Sequence, residues 1–322
     1  MATFAFFGGK GGVGKTTVSA AFGVLSADAG DETLLVSTDP AHSTSDVFGQ
    51  SFGDTPQRVA GYDRLSAMEI DPESEVDEHL MEIRRQMAEQ VSQVIVNEID
   101  SQIEMAHNTP GAHEAALFDR LIHVMREEST DFDRVVFDTA PTGGTLRLLS
   151  LPDFLGDWVD RLIDKRNQSL DRYEMAAIGD SEPRVDPEDD PIIDRLRTRK
   201  EKFAFAGRTL REEATFYLVL NPDELSVAET RRSVERLRET GLDVAGLVVN
   251  KITPEPDAEE SGAGACYLRE RCARERERIS EVESSFSVPV VARIDSRTDE
   301  ITGETLDDVA AELSIDVRGP PA

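Results

Sequence analysis

The chain has little lysine, little cysteine and no long apolar run. Of its 35 basic residues, six are lysine and 29 arginine, against 64 acidic residues in a length of 322. The net charge is −29. The two cysteines, Cys266 and Cys272, are too few for a disulfide framework. No stretch approaches the ~18 consecutive apolar residues of a membrane span, and the start carries no signal-peptide pattern. These features predict a soluble, cytosolic chain. No basic patch is visible, which argues against a nucleic-acid partner.

Short apolar runs recur along the chain, at Thr3–Phe7, Thr33–Thr38, Arg64–Ile70, Arg134–Phe137, Thr215–Leu220, Val244–Val249 and Val288–Ala292. Most are near-continuous rather than alternating, as in strands covered on both faces. Helical patterns such as Val18–Asp28 and Val227–Thr240 lie between them. The alternation predicts an α/β fold: a mainly parallel P-loop-type sheet with helices on both faces, in one domain spanning 1–322. Two helical insertions, at about 73–130 and 154–213, are expected to form a helical subdomain. The first carries Val76, Leu80, Ile83, Met87, Val91, Val94, Ile95, Ile99 and Ile103 at the spacing of one long amphipathic helix. The second opens with Phe154, Leu155, Trp158, Val159, Leu162 and Ile163. It passes an acidic, proline-bearing loop at Gly179–Pro191 and closes with a helix carrying Ile192, Leu196, Phe203 and Leu210. A further acidic loop is expected at Glu255–Ala265.

Directly after the first run stands Gly8-Gly9-Lys10-Gly11-Gly12-Val13-Gly14-Lys15-Thr16-Thr17. Gly9 through Thr16 match the phosphate-binding loop G-x-x-x-x-G-K-[ST]. Glycines let the backbone N–H groups of Gly11 to Lys15 approach phosphate oxygens closely. Lys15 reaches the β- and γ-phosphates, the Thr16 hydroxyl suits Mg²⁺, and the helix that follows adds its positive N-terminal end. Because ligands in parallel sheets bind beyond the carboxyl ends of strands, Lys15, Asp39, Asp138 and Asn250, each just after a strand, are expected to converge. Asp39 has a short carboxylate suited to capping a helix. Asp138, ending an apolar strand, either holds Mg²⁺ or serves a turn. Asn250 carries an amide able to read an adenine edge, or forms a turn.

The second lysine of the loop, Lys10, resembles the signature lysine of the deviant Walker A ATPases, in which it reaches the nucleotide of a partner subunit. Within that class, Asp39-Pro40-Ala41-His42 and Asp138-Thr139-Ala140-Pro141-Thr142-Gly143-Gly144 resemble the two nucleotide-sensing segments of the arsenite-pump and tail-anchored-protein targeting ATPases. Leu65–Pro72, Pro222-Asp223-Glu224-Leu225 and Val248-Val249-Asn250-Lys251 agree, so the likeness spans nearly the whole chain. It implies an ATP- and Mg²⁺-dependent homodimer in which Lys10 and Lys15 meet the nucleotide, Asp39 acts in catalysis, and Thr16, Asp39 and Asp138 attend the metal. It also implies that Glu229, Asn250 and Arg293 line the nucleotide, together with Gly9, Gly11, Gly12, Val13, Gly14 and Thr17. The family has histidine where this chain has Gly144.

The same resemblance implies one of two partners: a hydrophobic membrane-protein client delivered to a membrane receptor, or the membrane subunit of an arsenite or antimonite efflux pump. Either places the chain in the cytoplasm with a peripheral contact at the membrane. Many members carry a C-x-x-C zinc pair. Here five residues separate Cys266 from Cys272, so free thiols are expected rather than zinc, and arsenite would ask for three soft thiolates.

A folded chain of this charge repels itself at low salt, whereas at 1 M salt the Debye length falls to roughly 3 Å. Together with the scarcity of lysine, this points to a salt-rich cytoplasm such as that of a salt-adapted archaeon. The melting temperature is expected to rise between low and molar KCl, and a flat or falling profile in a thermal scan would contradict this reading.

Overall fold

Strands that bury both faces need helices above and below, and the chain supplies them. The computed structural model describes residues 2–38, 43–71, 74, 112–138, 159–168, 190–315 and 317. The eight strands are β1 (Thr3–Gly9), β2 (Thr33–Ser37), β3 (Gln57–Arg58), β4 (Leu65–Glu69), β5 (Arg134–Asp138), β6 (Ala214–Leu220), β7 (Val244–Ile252) and β8 (Val290–Asp295). They form one sheet in the order β3-β4-β2-β5-β1-β6-β7-β8. Every neighbouring pair is parallel except β3–β4. The helices are α1 (Lys15–Asp28), α2 (Ser43–Phe48), α3 (Ala112–Arg126), α4 (Pro191–Glu212), α5 (Glu224–Glu239), α6 (Ala263–Ser285) and α7 (Glu304–Glu312). Residues 159–168 are also helical.

Alternation along each strand divides the core in two. On one face Ala5, Phe7, Leu35, Val136, Val219 and Val248 pack under α1, α2 and α7. On the other, Phe4, Phe6, Val36, Phe137, Leu218 and Val249 pack under α3, α4, α5 and Val282 of α6. Aromatic rings cross the centre of both faces. Phe6 stacks on Phe137 at 4.5 Å and on Phe216 at 5.1 Å, and on the reverse side Phe7 lies 5.2 Å from Tyr217 and 5.3 Å from Phe22. Offset stacking at these separations adds to the area buried. β1 is thereby held by rings from β5 and β6, and it delivers the glycine-rich loop at its carboxyl end.

The parallel α/β sheet expected from the apolar runs is present, with shifted edges. β7 runs to Ile252, past the expected end at Val249. β8 begins at Val290, because Pro289 has no N–H for the ladder, although its carbonyl still accepts from Leu247 N at 2.8 Å. α6 begins at Ala263, inside the stretch expected to be loop, with Gly262 at its N-cap. The described parts of the two expected insertions complete the sheet's second layer. Leu117, Phe118, Leu121 and Ile122 of α3, and Phe203, Ala206 and Leu210 of α4, belong to the same core as the strands. The expected apolar helix at 76–103, the start of the second insertion at 154–158 and the acidic loop up to 189 lie outside the described residues.

Phe6 is 2% exposed and touches rings on two neighbouring strands. Phe6→Ala is expected to lower the unfolding free energy by roughly 3–5 kcal/mol, measurable by chemical denaturation at fixed salt.

Candidate nucleotide site

β1 ends in Gly8-Gly9, and the next residues turn back into α1. From β1 the chain winds one way to β2 and β4 and the other way to β6, β7 and β8, so the loop opens where the winding reverses, the usual place for a ligand in such sheets. Gly9 and Gly14 are demanded by contact. A Cβ on Gly9 would stand 2.3 Å from the Val219 carbonyl oxygen, and one on Gly14 2.3 Å from Asn250 Nδ2. Gly14 also has φ 90° and caps α1 without a side-chain bond. Gly11 and Gly12 are exposed at the crest, while Val13 is buried beneath it.

Three carbonyls of the loop, those of Lys10, Gly12 and Val13, have partners. Lys10 O accepts from Lys15 Nζ at 3.5 Å and from Val13 N at 3.4 Å. Gly12 O accepts from Lys251 Nζ at 2.8 Å, and Val13 O from Asn250 Nδ2 at 2.8 Å. Lys15 is 5% exposed, whereas Lys10, Thr16 and Thr17 are partly exposed at the loop and the first turn of α1. That turn holds no acidic residue, and no Asp or Glu precedes Asp28 in a chain of net charge −29. The loop is the positive end of a helix dipole set in an acid-free stretch of an acidic protein. A cradle of this shape and sign accepts a polyphosphate.

Asp138 ends β5 opposite Phe7 of β1 and Ser37 of β2, and it is fully buried. Thr38 is tied to it, with both its N–H (3.0 Å) and its hydroxyl (3.3 Å) donating to the Asp138 carbonyl. The chain therefore leaves β2 beside Asp138. Asp39 and His42 lie outside the described residues, as do residues 139–147 of the second expected sensing segment. Beyond that gap, Glu69 of β4, 5% exposed, accepts from Ser45 N and from Ser45 Oγ, each at 2.8 Å. The same hydroxyl receives Phe52 N at 3.2 Å. A buried carboxylate thus anchors α2, the element that follows the first sensing segment. Sequence reasoning had read Glu69 as part of a strand run and missed this role; the signal was a lone acid within an apolar stretch.

The expected nucleotide-lining residues separate into groups. The structure brings Lys10, Lys15, Thr16, Asp138 and Asn250 to one edge. Glu229 stands in the second turn of α5, at the same carboxyl edge but on the layer opposite α1, with its carbonyl accepting from Ser233 Oγ. Arg293 points away. Its neighbours Ala292 and Ile294 pack on the α1 face, so Arg293 faces the reverse side, where it pairs with Glu283 of α6. The Pro222-Asp223-Glu224-Leu225 motif serves as a cap, since Asp223 Oδ1 accepts from Ser226 N at 2.8 Å.

Cys266 and Cys272 both lie on α6. Six residues on a helix amount to about 240° of rotation, so one chain does not present them side by side. Cys266 is exposed. Cys272 is buried, with Sγ 3.4 Å from the Thr253 carbonyl, and burial pushes its thiol pKa up. Among the described residues, no group of three His, Cys, Asp or Glu side chains is placed to hold a metal, and no helix is long and apolar enough to cross a membrane. An ion at the loop would rest on Thr16, nucleotide and water, as magnesium sites commonly do.

Two residues beyond Lys251, Thr253 donates its N–H (2.7 Å) and hydroxyl (2.9 Å) to Glu275 of α6, which also accepts from Arg271 Nε at 2.8 Å. Burial raises the Glu275 pKa, but the bonds from Arg271 and Thr253 more than offset it and hold the carboxyl below its ordinary value. A depressed folded-state pKa gives stability above the unfolded pKa that is lost as pH falls through the folded one. Glu275→Ala is expected to cost about 1–3 kcal/mol at neutral pH. The gap from wild type should close as pH drops below the usual carboxylate range, and urea titrations at several pH values would read it.

Comparison with known proteins agrees with this geometry. The family described as anion-transporting ATPase matches residues 2–314. Putative arsenical pump-driving ATPase 2 of Aquifex aeolicus is 31% identical over 299 residues, covering 92% of this chain and 94% of that one. ATPase ASNA1 homolog 1 of Paramecium tetraurelia is 35% identical over 252 residues, 77% of this chain and 74% of the relative. ATPase get3 of Schizosaccharomyces pombe is 31% identical over 296 residues, 90% and 84% of the two chains.

Proposed function

The chain belongs to the anion-transporting ATPase family and is a nucleotide-binding ATPase; from that premise we propose that ATP works it as a homodimeric switch that carries hydrophobic, tail-anchored-like proteins to the membrane. The observation that carries the proposal is the glycine loop whose carbonyls are held by Lys15, Lys251 and Asn250, leaving the crest open and positively charged. Catalysis at such a loop is mostly positioning and neutralisation of charge. In this reading Lys15 meets the terminal phosphates, and Lys10, which is partly exposed at the rim, reaches a nucleotide across the subunit boundary. Thr16 and Asp138 are the residues that would hold Mg²⁺, which would supply neutralisation of phosphate charge. Asp39, next in sequence after Thr38, orients the attacking water. Asn250 donates one N–H to the Val13 carbonyl and keeps a carbonyl oxygen able to accept from the 6-amino group of adenine.

The names of the relatives also support a second reading, the ATPase of an arsenite or antimonite pump. The cysteine content favours the first. Arsenite takes soft thiolates, typically three, and of the two thiols here one is turned into the backbone at Thr253.

The deciding experiment measures steady-state ATPase activity in molar KCl for the protein alone, with antimonite, and with a single hydrophobic helix as client. ATP-dependent solubilisation of the helix with no metalloid response supports targeting; antimonite stimulation lost in Cys266→Ser and Cys272→Ser moves the assignment to the pump. Asp39→Asn is expected to cut turnover by about a hundredfold or more while ADP binding persists, and normal turnover in that variant would remove Asp39 from catalysis.

A further inference from the structure

Two of the bonds that shape the loop arise from one irregularity in β7. Between the pairs Val249–Arg293 and Ile252–Asp295, β7 advances three residues while β8 advances two. One residue is therefore extra, the definition of a bulge. Lys251 sits there with φ 59°, the one non-glycine residue of positive φ among those described. In a regular strand, successive side chains leave on opposite faces. The bulge instead aims both Asn250 and Lys251 at the same loop, at the adjacent carbonyls of Val13 and Gly12. Few side chains adopt this backbone region, and an outlier held beside a ligand loop is grounds for a functional hypothesis.

The choice of residue adds to this. The chain uses arginine for 29 of its 35 cations, yet the three basic residues at the loop, Lys10, Lys15 and Lys251, are all lysine. The other lysines, Lys165, Lys200 and Lys202, lie on the helical segments 159–168 and α4. An ammonium is a compact point donor that can end on a single carbonyl, whereas a guanidinium is a flat fork that prefers paired oxygens.

We propose that Lys251 is a positioning residue of the ATPase site. It is a third lysine that locks the Gly12–Val13 peptide plane in the wrapped conformation before nucleotide arrives. Because a trans peptide is planar, fixing the Gly12 carbonyl also fixes the Val13 N–H on the opposite side, where it closes the turn onto the Lys10 carbonyl. Asn250 does the same for the Val13–Gly14 peptide, so the two contacts set two successive planes of the cradle. The proposal rests on the loop being the nucleotide site, and the role differs from that of Lys15, which meets the phosphates themselves.

The test uses the full chain in molar KCl, with fluorescent ADP and ATP as probes beside steady-state kinetics. Lys251→Met is expected to weaken ADP and ATP alike by about tenfold. The loss should fall on Kd and KM far more than on kcat, because a preorganised loop serves ground state and transition state together. Lys251→Gly accepts the positive φ without strain but lacks the ammonium, so it should lose as much affinity as Lys251→Met. Lys251→Arg, which keeps a cation within reach, should recover most of it. Melting temperatures near wild type would show that the fold is intact. Wild-type affinity in Lys251→Met, or in Lys251→Gly alone, overturns the proposal, the latter by assigning the effect to backbone shape. If the wild-type protein binds no ADP, the reading of the loop falls first; if it binds and the variants match it, only the role of Lys251 falls.

Discussion

A planar peptide carries its N–H and its carbonyl on opposite sides, so a loop that turns several N–H groups toward an anion must find places for the matching carbonyls. Much of this structure answers that requirement. Lys15 closes the loop on the Lys10 carbonyl from within, while Asn250 and Lys251 hold the Val13 and Gly12 carbonyls from β7. For β7 to be in reach, β6 must pair with β1 and β7 with β6, which is the order observed. For Asn250 to come so close, position 14 must lack a Cβ. The packing on both faces then serves as a frame that keeps β1 and β7 at a fixed separation.

Charge is distributed to suit the same end. The molecule is strongly acidic, but the stretch from the start of the chain to Ala27 contains no acid. Acidic groups near the carboxyl edge are engaged in structure: Glu69 grips Ser45, and Glu275 gathers Thr253 and Arg271. Each of these two carboxylates braces a segment adjoining the site.

The parallel sheet was legible because strands covered on both faces read as apolar runs, and the loop because its spacing is a local pattern. What escaped reading was whatever depends on tertiary contact. β3 is two exposed residues, Gln57 and Arg58, with no apolar signal. The end of β7 looked like a turn because Asn250 and Lys251 are polar, and a bulge has no period to detect. The start of α6 was masked by Gly262 and Gly264, which read as loop. Asn250 was found as a residue just past a strand, but its bond to Val13, 237 positions away, has no trace in local sequence. Arg293 was expected at the nucleotide; strand alternation sends it to the reverse face, to Glu283. Lys251 had a faint signal in composition, as one of few lysines in a chain that prefers arginine.

The separation between the loop and its supports also has a meaning in time. The phosphate loop leaves a ribosome well before its supports, since β5, which flanks β1, begins at Arg134, and β7 begins at Val244. At roughly 5–20 residues per second, ten seconds or more pass between synthesis of the loop and synthesis of the strand that shapes it. During that interval the loop's carbonyls have none of their β7 partners, and the nascent chain carries the motif without the cradle. The share of nucleotide affinity that rests on these two contacts is therefore acquired late, when β7 docks beside β6. A chain truncated before Asn250 would keep the entire phosphate-loop motif and lack two of the contacts that hold its carbonyls.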